Sequence, residues 1–352
     1  MKRGGWGDFF ATSMNLWQYI LKRLLSTIPT VFGALVIMFI LTRILPGDPV
    51  LMILGPAHSS PENIAHMRKV IGMDQPLPVQ FLRYLGRLVQ GDLGYSWHTG
   101  NPVSKELIMR FPATFELTTV ALFLMVLFGL PLGILAGYYR NKTPDNIING
   151  ITVMGISMPS FWLGLLLIYV FFFRLDIAPP PMGRLSAEVS APPVVTGLLL
   201  IDTLLNRNLS AFLSTVHQLV LPAVTLAFFN LAIIVRTLKA DIIDTLKEDF
   251  IRTARAMGLS QKRVLFKHAL RNALLPTVTM LGTIYGFLLG GAVFTEVVFA
   301  WPGVGMYAVE SIQWLDYAGL QGFIIFYVFI FTIVNLLVDI SYRVIDPRVQ
   351  FD

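Results

Sequence analysis

The sequence predicts an all-α integral membrane protein with about six transmembrane helices, and three observations carry that prediction. Of its 352 residues, 55% are hydrophobic and only 14% are charged, against roughly 25% charged in a soluble domain. The apolar residues fall in long runs, and six runs reach the ~20 residues a helix needs to cross the bilayer hydrocarbon. Lysine and arginine are sorted between alternate connecting segments, as the positive-inside rule requires.

The first run, Leu24 to Leu45, follows a basic segment, residues 1–23, that holds Lys2, Arg3, Lys22 and Arg23. It is too long for a signal-peptide core, and Arg43 to Pro49 offers no Ala-x-Ala site, so an uncleaved first span is expected. Segment 46–111 then carries the turn signals Pro46-Gly47-Asp48-Pro49, Gly55-Pro56 and Gln75-Pro76-Leu77-Pro78. Short helices are predicted between them at Pro61–Ile71 and Val79–Val89, the first started by Ser60 ahead of Pro61 and Glu62. The other spans lie in a core region, residues 112–345. They are Phe115 to Tyr138, Ile147 to Phe173, Leu219 to Leu238, Leu274 to Phe299 and Leu320 to Ile340, followed by a tail, 346–352. Residues 175–213 are loop-like, with Pro179-Pro180-Pro181 and Pro192-Pro193. Within them the weaker patch Val194 to Leu205 is short and contains Asp202, which predicts a re-entrant or surface helix.

Charge sets the orientation. Arg140 and Lys142 lie between spans two and three, nine basic residues from Arg236 to Arg271 between spans four and five, and Arg343 and Arg348 after span six. The opposite side has six in segment 46–111, then only Arg184 and Arg207, and none between Phe299 and Asp316. Both termini are therefore expected in the cytoplasm. The same sorting accounts for the net charge of +6 without nucleic acid.

Several chemistries are excluded. There is no cysteine, and the five histidines (His58, His66, His98, His217, His268) show no metal-ligand spacing. No Gly-x-x-x-x-Gly-Lys-[Ser/Thr] occurs, so no phosphate-cradling loop is present. Ser157 and Ser160 have no histidine partner in any span, so nucleophilic catalysis is unsupported. The alternative of a gradient-driven secondary transporter lacks its usual carboxylates, because the middles of all six runs hold no Asp, Glu, Lys, Arg or His.

The loop between spans four and five, residues 240–273, is the richest. Ile242, Ile243, Leu246, Phe250, Ala254 and Met257 recur at helical spacing, so a helix is predicted to continue out of the membrane. Gly258 ends it, and Ser260 starts a second helix carrying Val264, Leu265, Phe266, Ala269 and Leu270. Two readings stand: an apolar ridge ringed by Arg252, Arg255, Lys262 and Arg263 that docks into a partner's groove, or a solvated basic loop.

The run Phe250-Ile251-Arg252-Thr253-Ala254-Arg255-Ala256-Met257-Gly258-Leu259-Ser260, followed by His268-Ala269-Leu270-Arg271-Asn272-Ala273-Leu274-Leu275-Pro276, resembles the cytoplasmic loop of permease subunits of ABC importers for dipeptides, oligopeptides and nickel. Five more stretches agree, in order: Leu45-Pro46-Gly47-Asp48-Pro49, Gly91-Asp92-Leu93-Gly94, Phe111-Pro112-Ala113-Thr114, Ser157-Met158-Pro159-Ser160-Phe161-Trp162, and Glu296-Val297-Val298-Phe299-Ala300-Trp301-Pro302-Gly303-Val304-Gly305. The general importer signature Glu-Ala-Ala…Gly stands here as Arg252-Thr253-Ala254…Gly258.

The resemblance implies a type I importer permease fold in the bacterial inner membrane. It implies alternating access for di- or oligopeptides or related small solutes, with nickel chelates and glutathione within the class. It also implies a second homologous permease, two ABC ATPase subunits that carry ATP and Mg, and an external solute-binding protein. No catalytic, cofactor or metal residue is expected on this chain. The coupling residues would be Arg252, Thr253, Ala254, Arg255, Ala256, Met257, Gly258, Leu259, Ser260, Arg263 and Lys267. Ser157, Pro159 and Phe161 combine hydroxyl, kink and aromatic in mid-run and are expected on the pathway with Thr279, Thr283 and Tyr285. The turn Trp301-Pro302-Gly303 reads as an outer gate or as an interfacial aromatic anchor. Glycines 155, 164, 282, 286, 290 and 291 read as close helix packing.

Overall fold

The structure, a computed structural model, describes residues 16–44, 47–290 and 292–345. Most of the basic N-terminal segment, the motif residues Leu45 and Pro46, Gly291, Arg348 and the tail 346–352 lie outside the described residues. The described chain is helical, with a lone bridge between Tyr95 and Pro102 in place of any sheet. In chain order the helices are α1 (Leu16–Ile44), α2 (Pro49–Leu54), α3 (Pro61–Ile71), α4 (Leu77–Val89), α5 (Val103–Tyr138), α6 (Thr143–Ser157), α7 (Ser160–Leu167) and α8 (Leu199–Leu205). There follow α9 (Leu209–Thr245), α10 (Asp249–Ala256), α11 (Gln261–Arg263), α12 (Leu270–Leu289), α13 (Val293–Val298), α14 (Val304–Gln313) and α15 (Tyr317–Ile345). Wider π-turns extend α7 through Ile168–Arg174 and join α11 to α12 through Val264–Ala269.

Among the described residues five stretches are long and apolar enough to cross a membrane: Ile20–Ile44, Val103–Tyr138, Leu209–Thr245, Gln261–Leu289 and Tyr317–Ile340. The expected third span differs. Thr143–Ser157 and Ser160–Arg174 meet at 103°, and count as a sixth crossing only if the bent pair is one span. Pro159 explains the break, since it disfavours helical geometry in the residue before it, and Met158 is extended at φ −97°, ψ 128°. The expected fifth span also ends early, at Leu289, and α13 is a separate short helix. The patch at 194–205 becomes α8, whose 7 residues are far too short to span.

α5 and α9 are 36 and 37 residues long. At ~1.5 Å per residue each is about 55 Å, well beyond the ~30 Å hydrocarbon, so both project from it. They run in parallel register through Gly129, Gly133 and Gly137, which face Ile234, Leu238 and Ile242. A Cβ on Gly137 would stand 2.9 Å from Ile242, so the small-xxx-small spacing sets how closely the two backbones approach. α9 is the most buried span, while α1 and α15 are the least buried and sit at the periphery. Gly282 and Gly286 of α12 face Val338 and Phe331 of α15, the packing role expected of them.

Candidate functional site

The fold carries two constellations at opposite ends of α5 and α9. At the Gly258 end, α9 stops at Thr245, and α10 begins only at Asp249. The continuous helix expected through Met257 is thus broken, with Glu248 extended at φ −64°, ψ 150°. Gly258 takes φ +78°, the left-handed geometry that closes α10 without a Cβ clash. Ser260 holds the N-cap backbone position of α11, but its side chain makes no capping hydrogen bond; its carbonyl accepts from Val264 N–H.

The apolar residues here divide between two faces. Ile251, Ala254, Val264 and Ala269 form a buried cluster with Leu246 and Leu259, and Leu265 packs against Leu238, Ile242 and Ala273. This inner face fastens the bracket to α9 and α12. On the outer face Phe250, Met257 and Phe266 are exposed, Met257 by 68%. Around them Arg252, Thr253, Arg255, Ala256, Lys262, Arg263 and Lys267 are exposed as well. Of the expected coupling residues, Ala254 alone is buried and Leu259 half-buried. Phe250 and Phe266, read from the sequence as apolar members of the two helices, lie on the exposed surface. Arg252 pairs with Asp249 at 3.3 Å, but both are exposed, so the pair adds little. Nearby, Lys239 of α9 donates to Asp145 and Asn149 of α6, tying the α6 entry to the same platform.

At the α14 end the chemistry is buried. Trp301 is 0% exposed, and its indole N–H donates to the Ala113 carbonyl at 2.8 Å. Thr114 Oγ donates to Glu296 at 2.7 Å and accepts from Val304 N–H, while Met306 N–H donates to the other Glu296 oxygen. A Cβ on Gly303 would come within 2.4 Å of Thr114 Oγ, so only glycine fits. Trp301 is therefore a core residue and not an interfacial anchor, while Pro302 beside it is exposed. A second knot holds the 175–208 loop: Arg184 donates to Glu116 and to the Gly197 carbonyl, and Leu200 N–H donates to Glu116. Asp202 of α8 accepts from Thr196 N–H, Thr196 Oγ and Gly197 N–H. Burial alone would raise its carboxyl, but these bonds hold it below the usual carboxylate range. Sequence reasoning missed these contacts, whose partners lie 68 residues apart for Arg184–Glu116 and 182 for Thr114–Glu296.

The expected pathway residues fall into two groups. Ser157, Pro159 and Phe161 sit exposed at the α6–α7 bend, and the Phe161 ring faces Phe294 of α13. Tyr285 of α12 shares a hydrogen bond with Thr119 of α5 and lies edge-on to Phe115. Thr279 and Thr283 donate to carbonyls of their own helix, at Leu275 and Thr279. No hydrogen bond or ring contact links the two groups among the described residues. The described residues likewise contain no cluster of metal-ligating side chains.

The described residues thus form a helical core with a fastened, basic bracket at one end. Residues 129–351 match the family model "Binding-protein-dependent transport system inner membrane component", and residues 16–118 match the N-terminal model of the same system. The chain is 44% identical over 96% of its length to the probable D,D-dipeptide transport system permease protein of Escherichia coli K12, covering 98% of that protein. It is 41% identical to the di/tripeptide transport system permease protein of Pseudomonas aeruginosa UCBPP-PA14, over 95% of this chain and 98% of that one. It is 38% identical to the glutathione transport system permease protein of Escherichia coli K12, over 95% of this chain and 99% of that one. Among solved structures, inward-facing MetNI methionine ABC transporter matches with TM-score 0.48 and 18% identity, covering 68% of this chain and 95% of that one.

The chain belongs to the binding-protein-dependent transport system inner membrane component family. It is a non-enzymatic, multi-pass permease subunit of an ABC importer in the bacterial inner membrane, and its family implies ATPase and substrate-binding-protein partners.

Proposed function

We propose that this chain forms one half of a pathway that carries di- or oligopeptides, or related small solutes, inward by alternating access. It pairs with a second homologous permease, receives solute from an external binding protein, and is driven by two ATPase subunits that hold ATP and Mg. Both termini and the 240–273 loop face the ATPases, segment 46–111 faces the binding protein, and residues 112–345 form the core. The peptide and glutathione systems named for its relatives support the substrate class.

One observation carries the coupling assignment: the Gly258 bracket is locked to α9 and α12 from within, yet presents Phe250, Met257 and Phe266 outward among arginines and lysines. Such an element transmits a push into both helices, because its buried side cannot slip without opening a packed cluster. A partner groove with an apolar floor and acidic rim suits it. On this reading Ser157, Pro159, Phe161, Thr279, Thr283 and Tyr285 border the path, and the Trp301-Pro302-Gly303 turn is its rigid outer gate.

The test is ATP hydrolysis by the reconstituted complex. Arg255→Glu, which places a negative charge on an exposed site, is expected to abolish the stimulation by loaded binding protein. Gly258→Pro is expected to do the same by removing the left-handed turn. If hydrolysis by both variants still responds to loaded binding protein, coupling does not run through this bracket.

A further inference from the structure

We propose that the cavity between α1, α4 and α15 is a binding site for a phosphodiester anion, supplied as the headgroup of an anionic phospholipid. The cavity holds about 740 Å³ and is walled by Arg43, Arg83, Arg87, Tyr84, Trp97 and Tyr317. That is ample for a headgroup and the start of its chains. Asp92 is the one carboxylate on its wall, against three arginines, and one of its oxygens already accepts from Gly94 N–H.

The donors around it are incompletely used. Arg83 and Arg87 lie one helical turn apart on α4, exposed, and take part in no ion pair among the described residues. Like charges at this spacing repel unless an anion lies between them. Behind them, Arg43 donates to Thr42 and Gln80 while its Nε is buried without a partner. The Tyr84 hydroxyl is also buried without a partner, on a residue only 7% exposed. A buried donor left unpaired is costly, so two on one wall call for an acceptor. Burial drives the Tyr84 phenol upward, against the pull of Arg87 and Arg43, so it remains a neutral donor. Paired guanidinium forks match phosphate oxygens better than lysines would.

Position selects lipid as the source. α1 and α15 are the least buried spans. α4 lies along α1, with the Phe81 ring 6.1 Å from Phe32 and 5.1 Å from Phe39. Leu77, Leu82 and Val89 of α4 are exposed. The helix has the form of an interfacial helix, with Phe81, Leu82, Leu85, Leu88 and Val89 along one apolar face and Arg83 and Arg87 on the opposite side. Trp97 and Tyr317 meet at 5.6 Å at the wall, residue types that favour the headgroup layer.

The experiment is native mass spectrometry of the assembled transporter released from nanodiscs of equal phosphatidylglycerol and phosphatidylcholine. Phosphatidylglycerol should be retained preferentially, and the Arg83→Gln/Arg87→Gln double variant should lose about ten-fold of that retention. Tyr84→Phe, which keeps the ring and removes only the hydroxyl, should lose a smaller part. Soluble sn-glycerol 3-phosphate should not displace the lipid. Equal retention of the two lipids, or retention unchanged in both variants, overturns the proposal. Binding of glycerol 3-phosphate without lipid enrichment overturns the lipid source.

Discussion

At the α14 end, Trp301, Thr114 and Glu296 close on one another inside the fold, whereas around Gly258 the side chains of Phe250, Met257 and Phe266 stand clear of it. The first region spends its polar groups on itself: Trp301 on Ala113, Thr114 on Glu296 and Val304, Arg184 on Glu116. The second buries only what fastens it, and leaves Arg255, Lys262, Arg263 and Lys267 facing outward. A region built the first way resists deformation, since each buried polar group must keep its partner. A region built the second way contributes little to stability beyond its inner cluster and is free to bind. Substitutions should therefore sort by end: loss of fold at one, loss of coupling with an intact fold at the other.

The largest expected effect is at Trp301. Trp301→Ala removes a fully buried indole together with the hydrogen bond it donates to the Ala113 carbonyl. A loss of about 3–5 kcal/mol is expected, enough to lower the yield of folded protein severely. Thermal unfolding of the purified permease pair in detergent reads it. A midpoint close to wild type would mean that the α14 end is no more rigid than the bracket, and the contrast would fail.

An intermediate effect is expected where a charge fastens a surface loop. Asp202→Asn should cost about 1–2 kcal/mol, since three donors converge on the carboxylate. The effect carries a pH signature. The folded-state pKa of Asp202 lies below its ordinary value, so its contribution is complete above the unfolded pKa and fades as pH falls through the folded one. The gap in thermal midpoint between wild type and Asp202→Asn should stay constant above about pH 5 and narrow below about pH 4. A gap that widens on acidification would reverse the assignment.

Much of this contrast could be read from sequence where its cause is local. Ser60 ahead of Pro61 starts α3, its side chain accepting from Asn63 N–H at 3.2 Å. Gly258 turns the chain by its left-handed backbone, and long apolar runs give the spans. Local signals also misled where two rules met. Apolar spacing ran straight across Met158, yet Pro159 bends the chain by 103° there. The same spacing placed Phe250 and Ala254 on one stripe, but α10 starts afresh at Asp249 and turns Phe250 outward. Pairings such as Lys239 with Asp145, 94 residues apart, leave no periodic trace, because a single charge facing a single charge has no repeat to read. For the same reason nothing in the sequence signals the buried donors that the structure gives Glu116 and Glu296.

The smallest expected stability effect should accompany a clear functional one. Arg252 and its partner Asp249 are both exposed, with side-chain exposures of 77% and 94%. Solvent screens such a pair almost completely, so Arg252→Ala should shift stability by less than about 0.5 kcal/mol. Arg252 nevertheless belongs to the basic ring around Phe250, Met257 and Phe266, where a positive charge speeds and orients the approach of an acidic partner. The variant should keep the wild-type thermal midpoint while stimulated ATP hydrolysis falls and becomes less sensitive to added salt. An unchanged midpoint with unchanged hydrolysis would remove Arg252 from the docking surface and narrow it to the apolar trio. A lowered midpoint would instead show that the ring serves the fold, and that the two ends differ less than their burial suggests.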